Sequence, residues 1–580
     1  MKKVFTFITN LTLIGFVSAQ ATFMMAKVNG SGEITVEEVE GFQTLVTPNE
    51  INPEPFMTFE APAFQYSKNT RGLTLADLDN DGVDELLIGI NDKFYAIKGD
   101  GSILFEKSML GPVLYPPAVA DLDADGNLEI VINYGFSTLQ NGIVVLNHQG
   151  NEMPGWPKAF GTTLVNNAPT VADLDDDGVY EIITAQRASG TSALIHVYNL
   201  DGTYFNENWP YDIGSVSCFT PSVGDIDNDG TKEIIVAGYN TGLFALKPDA
   251  GILPGFPVVA TGVAYSYQSP VLVDLDEDGD LEIVGANHGD NPAYYVREHD
   301  GSYRTGWPYA IGNWTYAPPT VADVDGDENY EIFAGNPNFS EGNPLPTLYG
   351  MSPDGNDIGN FPINKVGGNE GVITVADINN DGVMELIFGS NITDAEGYGY
   401  LHAFSVDGSG EIEGFPLRPR GFTFLNGAVI GDIDNDGMMD LSLNSYTLNF
   451  GASTDSLFIS SYNLDVPYDE SKILWNGYKG NNTRDGFLMK EIVMGTQDMP
   501  ANSVSVFPNP SSGILNIKFK EEVYDFKIKI FDFTGQNVFT QNESISKSLR
   551  TYNLSHLQPG TYVVQLSMGE ERKSFKWVKK

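Results

Sequence analysis

An eight-bladed, all-β propeller followed by a small immunoglobulin-like β-sandwich is the fold the sequence predicts, with seven blades as the lesser alternative. Three observations predict it. An acidic motif recurs eight times, its period is close to 50 residues, and each period divides into about four short β-rich runs. Gly, Pro and Asp turns separate the runs, and no helical spacing interrupts them.

From the N-terminus, Lys2 and Lys3 precede a mostly apolar run, Val4 to Val17, and the small residues Val17-Ser18-Ala19 stand before Gln20. This is the pattern of a signal peptide over 1–19, and the apolar run is too short to cross a bilayer. Residues 20–61 are acidic, carry Pro48, Pro53 and Pro55, and read as an irregular lead-in. The propeller is expected over 62–487, a linker over 488–501 and the terminal sandwich over 502–580. Trp475-Asn476-Gly477 reads as the fourth-strand signal of the last blade. The terminal segment changes charge sign, with 11 lysines and arginines against 7 acids, whereas the whole chain carries −45. Such an acidic surface excludes nucleic acid and anionic lipid as partners. Cys218 is the only cysteine, so no intrachain disulfide and no cysteine-based metal site can form. No later segment is long enough for a transmembrane helix.

The motif places acids at positions 1, 3, 5 and 9, with glycine at position 6. Hard oxygens at this spacing in a tight loop converge on one point, as a calcium ion requires, and the carbonyl of position 7 adds a ligand. The expected ligand sets are Asp77, Asp79, Asp81, Val83 and Glu85; Asp121, Asp123, Asp125, Asn127 and Glu129; Asp173, Asp175, Asp177, Val179 and Glu181; and Asp225, Asp227, Asp229, Thr231 and Glu233. The second half of the chain offers Asp274, Asp276, Asp278, Asp280 and Glu282; Asp323, Asp325, Asp327, Asn329 and Glu331; Asp377, Asn379, Asp381, Val383 and Glu385; and Asp432, Asp434, Asp436, Met438 and Asp440. An EF-hand would close at position 12 inside a helix, whereas this closing acid opens a strand. The expected cofactor is therefore Ca2+, up to eight ions. The sixth loop departs from the template, with Glu328 at the glycine position and Gly326 two residues early.

Leu75-Ala76-Asp77-Leu78-Asp79-Asn80-Asp81-Gly82, followed by Glu85-Leu86-Leu87-Ile88-Gly89, resembles the FG-GAP/VCBS calcium-loop repeat. That resemblance implies an integrin-α-like propeller over about three quarters of the chain. Phe507-Pro508-Asn509-Pro510, Gly513-Ile514-Leu515-Asn516-Ile517, Asp532, Gly535 and Leu557-Gln558-Pro559-Gly560-Thr561-Tyr562 resemble the type IX secretion sorting domain. This second resemblance implies passage to the outer surface of a Gram-negative cell or beyond, the secretion machinery as partner, and later removal of the tail.

No nucleophile elbow, phosphate loop or HExxH stretch is present. His196 and His402 hold equivalent strand positions and read as packing, and His288 reads as a surface loop histidine. A loop joining strands one and two leaves the 2–3 and 4–1 loops on the opposite face. Trp314, Tyr316, Tyr265, Tyr267 and Asn167 fall there and suit sugar or peptide recognition. The expected function is a secreted or cell-surface binding and adhesion module for glycan or protein ligands, with no enzymatic activity. The alternative is a polysaccharide lyase or glycosidase on the same scaffold.

Overall fold

The computed structural model describes residues 20–28, 34–42, 53–63, 70–488 and 504–580. Stretches 136–139, 162–164, 190, 218, 266–268, 328, 338–345, 366, 426, 449–454, 508–512, 524–525, 532–536, 544–546, 559 and 569–570 are excepted. The expected signal peptide, most of the expected linker, Cys218 and Tyr267 lie outside the described residues. The chain forms two compact units, Met1–Phe487 and Leu488–Lys580. Both are all-β, and among the described residues the one short helical turn is Glu470–Lys472.

Each repeat builds one antiparallel sheet. Sheet 1 runs Thr74–Ala76, Glu85–Ile90, Lys93–Ile97 and Ile103–Ser108 in sequential order, and the acidic loop joins its first two strands. Sheets 2 to 8 start at Ala118–Ala120, Thr170–Ala172, Ser222–Gly224, Val271–Val273, Thr320–Ala322, Thr374–Ala376 and Val429–Gly431. The second strands Glu85–Ile90, Glu129–Tyr134 and Glu233–Gly238 are buried at every residue. A sheet stacked on both sides must bury both faces, which is why these strands read as apolar runs rather than alternations. Between sheets 8 and 1 the packed cluster includes Met57, Ala61, Leu75, Leu86, Val429 and Leu457, so the last repeat packs on the first.

Closure differs from the sequence expectation in two places. The described parts of 20–61 are not irregular: Gln20–Val28 and Ile34–Phe42 form a hairpin, and Met57–Pro62 is a strand. That strand pairs antiparallel with Ser456–Pro467, from Met57 opposite Ser461 to Pro62 opposite Ser456, and supplies the outer strand of sheet 8. Met57 and Ala61 point into the core while Thr58 and Glu60 face out, the alternation of a one-sided edge strand. Trp475 therefore does not belong to the outer strand of the last repeat. The strand Ile473–Trp475 pairs instead with the first strand of sheet 7.

From there the chain follows the first strands of successive sheets. Asn476 exchanges hydrogen bonds with Ile430 of sheet 8, and Asn482 Nδ2 donates to the Leu75 carbonyl of sheet 1. The amides of Val119, Val171, Val223 and Leu272 then donate to the carbonyls of Asn482, Thr483, Asp485 and Gly486. First strands of seven sheets thus converge on one strap, 473–487. Two cations fix it. Arg484, fully buried, donates to the carbonyls of Pro117, Tyr478 and Asn481 and to Thr74 Oγ1. Lys479 Nζ donates to the Pro221 carbonyl and Ser222 Oγ at 2.7 Å each. Burial lowers the Arg484 pKa to about 10, and carbonyl oxygens replace the lost water.

The C-terminal unit has two antiparallel sheets. One joins Val504–Phe507, Ile514–Val523 and Lys547–Asn553; the other joins Asn537–Glu543, Phe526–Phe531, Gly560–Met568 and Glu571–Lys579. Leu515, Ile517, Ile528, Ile530, Val564, Leu566 and Trp577 form their shared core.

A chain ending at residue 500 should melt in one cooperative transition, whereas one ending at 470 should melt lower and less cooperatively. Arg484→Met should cost about 3 to 5 kcal/mol in chemical denaturation, because it leaves buried carbonyls unpaired. Equal melting of the two truncations would show that the strap does not hold the first strands together.

Candidate metal loops and the opposite face

All eight acidic loops are built by one hydrogen-bond scheme. The closing acid at position 9 accepts from the amide of position 2: Leu78 N to Glu85 Oε2 is 2.9 Å, and the others lie between 2.6 and 3.1 Å, through Ile433 N to Asp440 Oδ2. In six loops position 1 accepts from the amides of positions 5 and 6, as at Asp77 from Asp81 (3.1 Å) and Gly82 (2.9 Å). In the fifth and sixth it accepts from position 4 in place of position 5, Glu277 N at 2.6 Å and Gly326 N at 2.8 Å. Position 5 accepts from the amide of position 7 in every loop. These bonds use one oxygen of the acids at positions 5 and 9 and, in loops such as the first, both oxygens of position 1.

The backbone explains the glycine and one feature missed in the sequence. Gly82 sits at φ 88°, a region most residues avoid, and position 4 is also left-handed, with Asn80 at 59°, Ala124 at 57° and Glu277 at 64°. In the sixth loop Gly326 stands at position 4 with φ 74°. The displaced glycine therefore meets a requirement shared by all eight loops, and Glu328 lies outside the described residues.

The acids fit a hard divalent cation. Carboxylate oxygens of Asp77, Asp79 and Asp81, of Asp173, Asp175 and Glu181, and of Asp274, Asp276 and Glu282 each lie within 4.8 Å of one another. Glu233 Oε1, Asp227 Oδ1 and Asp440 Oδ1 are buried with no hydrogen-bond partner. Burial, reinforced by the loop aspartates, pushes Glu129, Glu181, Glu331 and Asp440 up to about 7 and Glu233 up to about 8. Nothing but a proton or a cation offsets such a group, and an oxygen-only donor set selects calcium-like ions over zinc.

On the opposite face the structure separates the expected ligand residues. Trp314 is 38% exposed, and its ring stacks on His288 at 4.5 Å and 16°. Asn167, Tyr265 and Tyr316 are buried and cannot contact a ligand as they stand, which corrects the sequence reading. Asn167 sits in an interior network, donating to the Ala185 carbonyl and accepting from Asn133 Nδ2. Tyr265 packs edge-on against Tyr295. Tyr316 lies in a cluster with Ala26, Phe422, Phe424 and Tyr446, because the N-terminal hairpin docks here through Met24 opposite Thr393 and Met25 opposite Ile392.

His288 is likewise interior rather than a surface loop residue. It lies in the strand Glu282–Gly289, its Nε2 is 2.7 Å from the Thr315 carbonyl, and burial lowers its pKa to about 4. His196 bonds Gln186 and Tyr204, and His402 Nδ1 is 2.6 Å from Glu411 Oε1.

Residues 505–580 match the secretion system C-terminal sorting domain. The protein is exported to the cell surface or secreted, and its tail engages the secretion machinery. Residues 274–334, which contain the fifth and sixth loops, match the FG-GAP-like repeat. No curated protein matches the chain. Among solved structures, the V. cholerae biofilm matrix protein Bap1 is 14% identical with a TM-score of 0.46, covering 76% of this chain and 96% of its own. The BP39L lectin from Burkholderia pseudomallei is 10% identical with a TM-score of 0.39, covering 60% and 99%. No helix among the described residues is long and apolar enough to cross a membrane.

His288 gains its charge only by giving up its buried site. Its contribution to stability is present above about pH 6.5 and is lost as pH falls toward 4. The melting difference between wild type and His288→Gln should therefore shrink on acidification from pH 7 to pH 4. Trp307 is buried and donates its indole N–H to the Pro353 carbonyl at 2.8 Å, bridging to the next repeat. Trp307→Ala should cost about 3 to 5 kcal/mol in a denaturant titration, and Trp314→Ala should cost far less.

Proposed function

We propose that the eight sheets are the blades of a calcium-stabilised propeller, and that it serves at the cell surface or in the medium as a non-enzymatic binding and adhesion module. Its ligand is a glycan or a protein segment, held at the face opposite the acidic loops. The observation that carries this reading is the Trp314–His288 pair. A half-exposed indole on a buried, hydrogen-bonded imidazole is a fixed aromatic platform, the kind of surface on which sugar rings and aromatic side chains stack. Among the described residues no other indole stacks on a histidine, although Phe160 stacks in the same way on the buried His196 at 4.6 Å and 17°. The described histidines are committed to stacking, to turns or to hydrogen bonds within blades, which favours binding over acid–base chemistry. Seven first strands on one strap and a last blade completed by Met57–Pro62 support the closed eight-bladed ring. Buried, partnerless carboxylate oxygens in the loops support calcium.

Calcium bound only to the native state stabilises it by RT ln(1 + [L]/Kd) per site. Chelation should lower the melting temperature, and calcium should restore it where magnesium at equal concentration does not. An unchanged melting curve would end the calcium reading.

A screen of the mature protein against polysaccharides, scored for both retention and product release, tests the binding reading. For any polysaccharide retained, Trp314→Ala should weaken binding by about 1 to 3 kcal/mol with little change in melting. Release of shortened or unsaturated products would replace the binder by an enzyme.

A further inference from the structure

The eight loops differ in what faces their closing acid across the sheet. Register identifies this position in each repeat: Ser405 stands opposite Glu385 and Asn463 opposite Asp440. The other sheets pair the residue after the closing acid with Ile97, Leu146, Tyr198, Leu246, Arg297 and Met351, so the next residue is the equivalent one. It is Asn147, Asn199 and Asn463 in sheets 2, 3 and 8, and Ser352 and Ser405 in sheets 6 and 7. In sheets 1 and 4 it is a lysine, Lys98 and Lys247.

Both lysines turn into their own loops. Lys98 Nζ is 2.6 Å from Asp79 Oδ2, 3.1 Å from Asp81 Oδ2 and 3.6 Å from Glu85 Oε1. Those are the acids of positions 3, 5 and 9. Lys247 Nζ is 2.9 Å from Asp229 Oδ2 and 3.9 Å from Glu233 Oε1, the buried oxygen that has no hydrogen-bond partner. Where the equivalent residue is neutral, as Asn463, its side chain donates one ordinary hydrogen bond, to Asp436 Oδ2 at 2.9 Å. Lys472 also meets an acidic loop, but at Asp377 of position 1 and not at the closing acid. In sheet 5 the equivalent residue is Glu298. Arg304 from the following turn reaches Asp276 at 2.9 Å and the closing Glu282 at 4.0 Å, but Glu298 itself, 3.8 Å away, shares that charge.

We propose that Lys98 and Lys247 are tethered cations that stand in for the divalent ion in loops 1 and 4. These two loops are then partly neutralised by the chain itself and bind calcium more weakly than those with Asn or Ser at this position. The inference rests on the calcium reading of the loops. Its physical basis is direct competition: the ammonium draws on the carboxylate oxygens that a calcium ion would need. Displacing it costs the ion pair and adds repulsion between two cations a few ångströms apart. The side chains of Lys98 and Lys247 are 32% and 28% exposed, so solvent screens the pair and the effect is a graded weakening. The mature protein would hold calcium in two classes of site.

The test uses the full-length protein, Lys98→Asn, Lys247→Asn and the double variant, with calcium chloride as probe in equilibrium dialysis and melting in chelator as a second readout. Each single variant should convert one weak site into a tight one, with about a tenfold or greater gain in affinity. The double variant should convert two. In chelator the variants should melt below wild type, and calcium should recover the difference. Lys98→Arg and Lys247→Arg keep the charge and should behave as wild type, which separates the charge effect from a folding defect. If wild type binds calcium and the Asn variants match it in site number, affinity and chelator sensitivity, the lysines are surface partners and the inference fails alone. If neither wild type nor variants bind calcium, the calcium reading fails and takes the inference with it.

Discussion

One hydrogen bond, repeated eight times, organises this molecule. The carboxylate at or near the start of the second strand of each sheet accepts from the amide of the second loop residue. That bond fixes the loop, and the loop fixes the distance and direction between the first two strands. It also creates a problem. The acid is buried among three others, and one backbone donor does not offset the desolvation of a carboxylate. A cation at the loop centre would remove the conflict, and in two loops a lysine of the same sheet offsets part of it.

Because the loops stand at one end of every sheet, the other end is left to vary. The N-terminal hairpin covers part of that end and buries Tyr316, while Trp314 stays exposed on its histidine support. Closure draws on both ends of the repeat region. Met57–Pro62 completes the last sheet, and the strap after Trp475 joins first strands as far apart in sequence as those of Leu75 and Ile430. Long-range contacts of this kind make the repeats one cooperative body rather than a string of independent sheets.

The parts legible in the sequence were those that repeat. The motif Asp-x-Asp-x-Asp-Gly with its ninth-position acid located every loop and every second strand, because eight copies on a fixed template cannot be turn chemistry alone. The inner-strand hydroxyls also repeat but were not read: Thr170, Ser222, Thr320 and Thr374 donate to the carbonyls of Pro221, Pro270, Ile373 and Ala428, tying each of four sheets to the next. Features present once were missed. Met57-Thr58-Phe59-Glu60-Ala61 alternates as an edge strand should, but three nearby prolines suggested irregular chain. Trp475-Asn476-Gly477 imitates the aromatic turns that recur in earlier repeats at Trp156-Pro157, Trp209-Pro210 and Trp307-Pro308, and only pairing with a distant strand shows its different role. The burial of Asn167 and Tyr265 was illegible because a 4–1 segment points inward or outward according to its neighbours, which periodicity does not encode. The left-handed residue at position 4 could have been read from the frequency of Asn there and from Gly326 in the sixth loop.

The account stands on the claim that the loop centres are cation sites and not merely acidic turns. Long-wavelength anomalous diffraction from crystals of the mature protein grown with calcium tests this most directly. The account predicts anomalous peaks within about 2.3 to 2.6 Å of the carboxylate oxygens at positions 1, 3, 5 and 9, strongest in loops without a facing lysine. Loops with the hydrogen bonds described above but no anomalous density at their centres would contradict it.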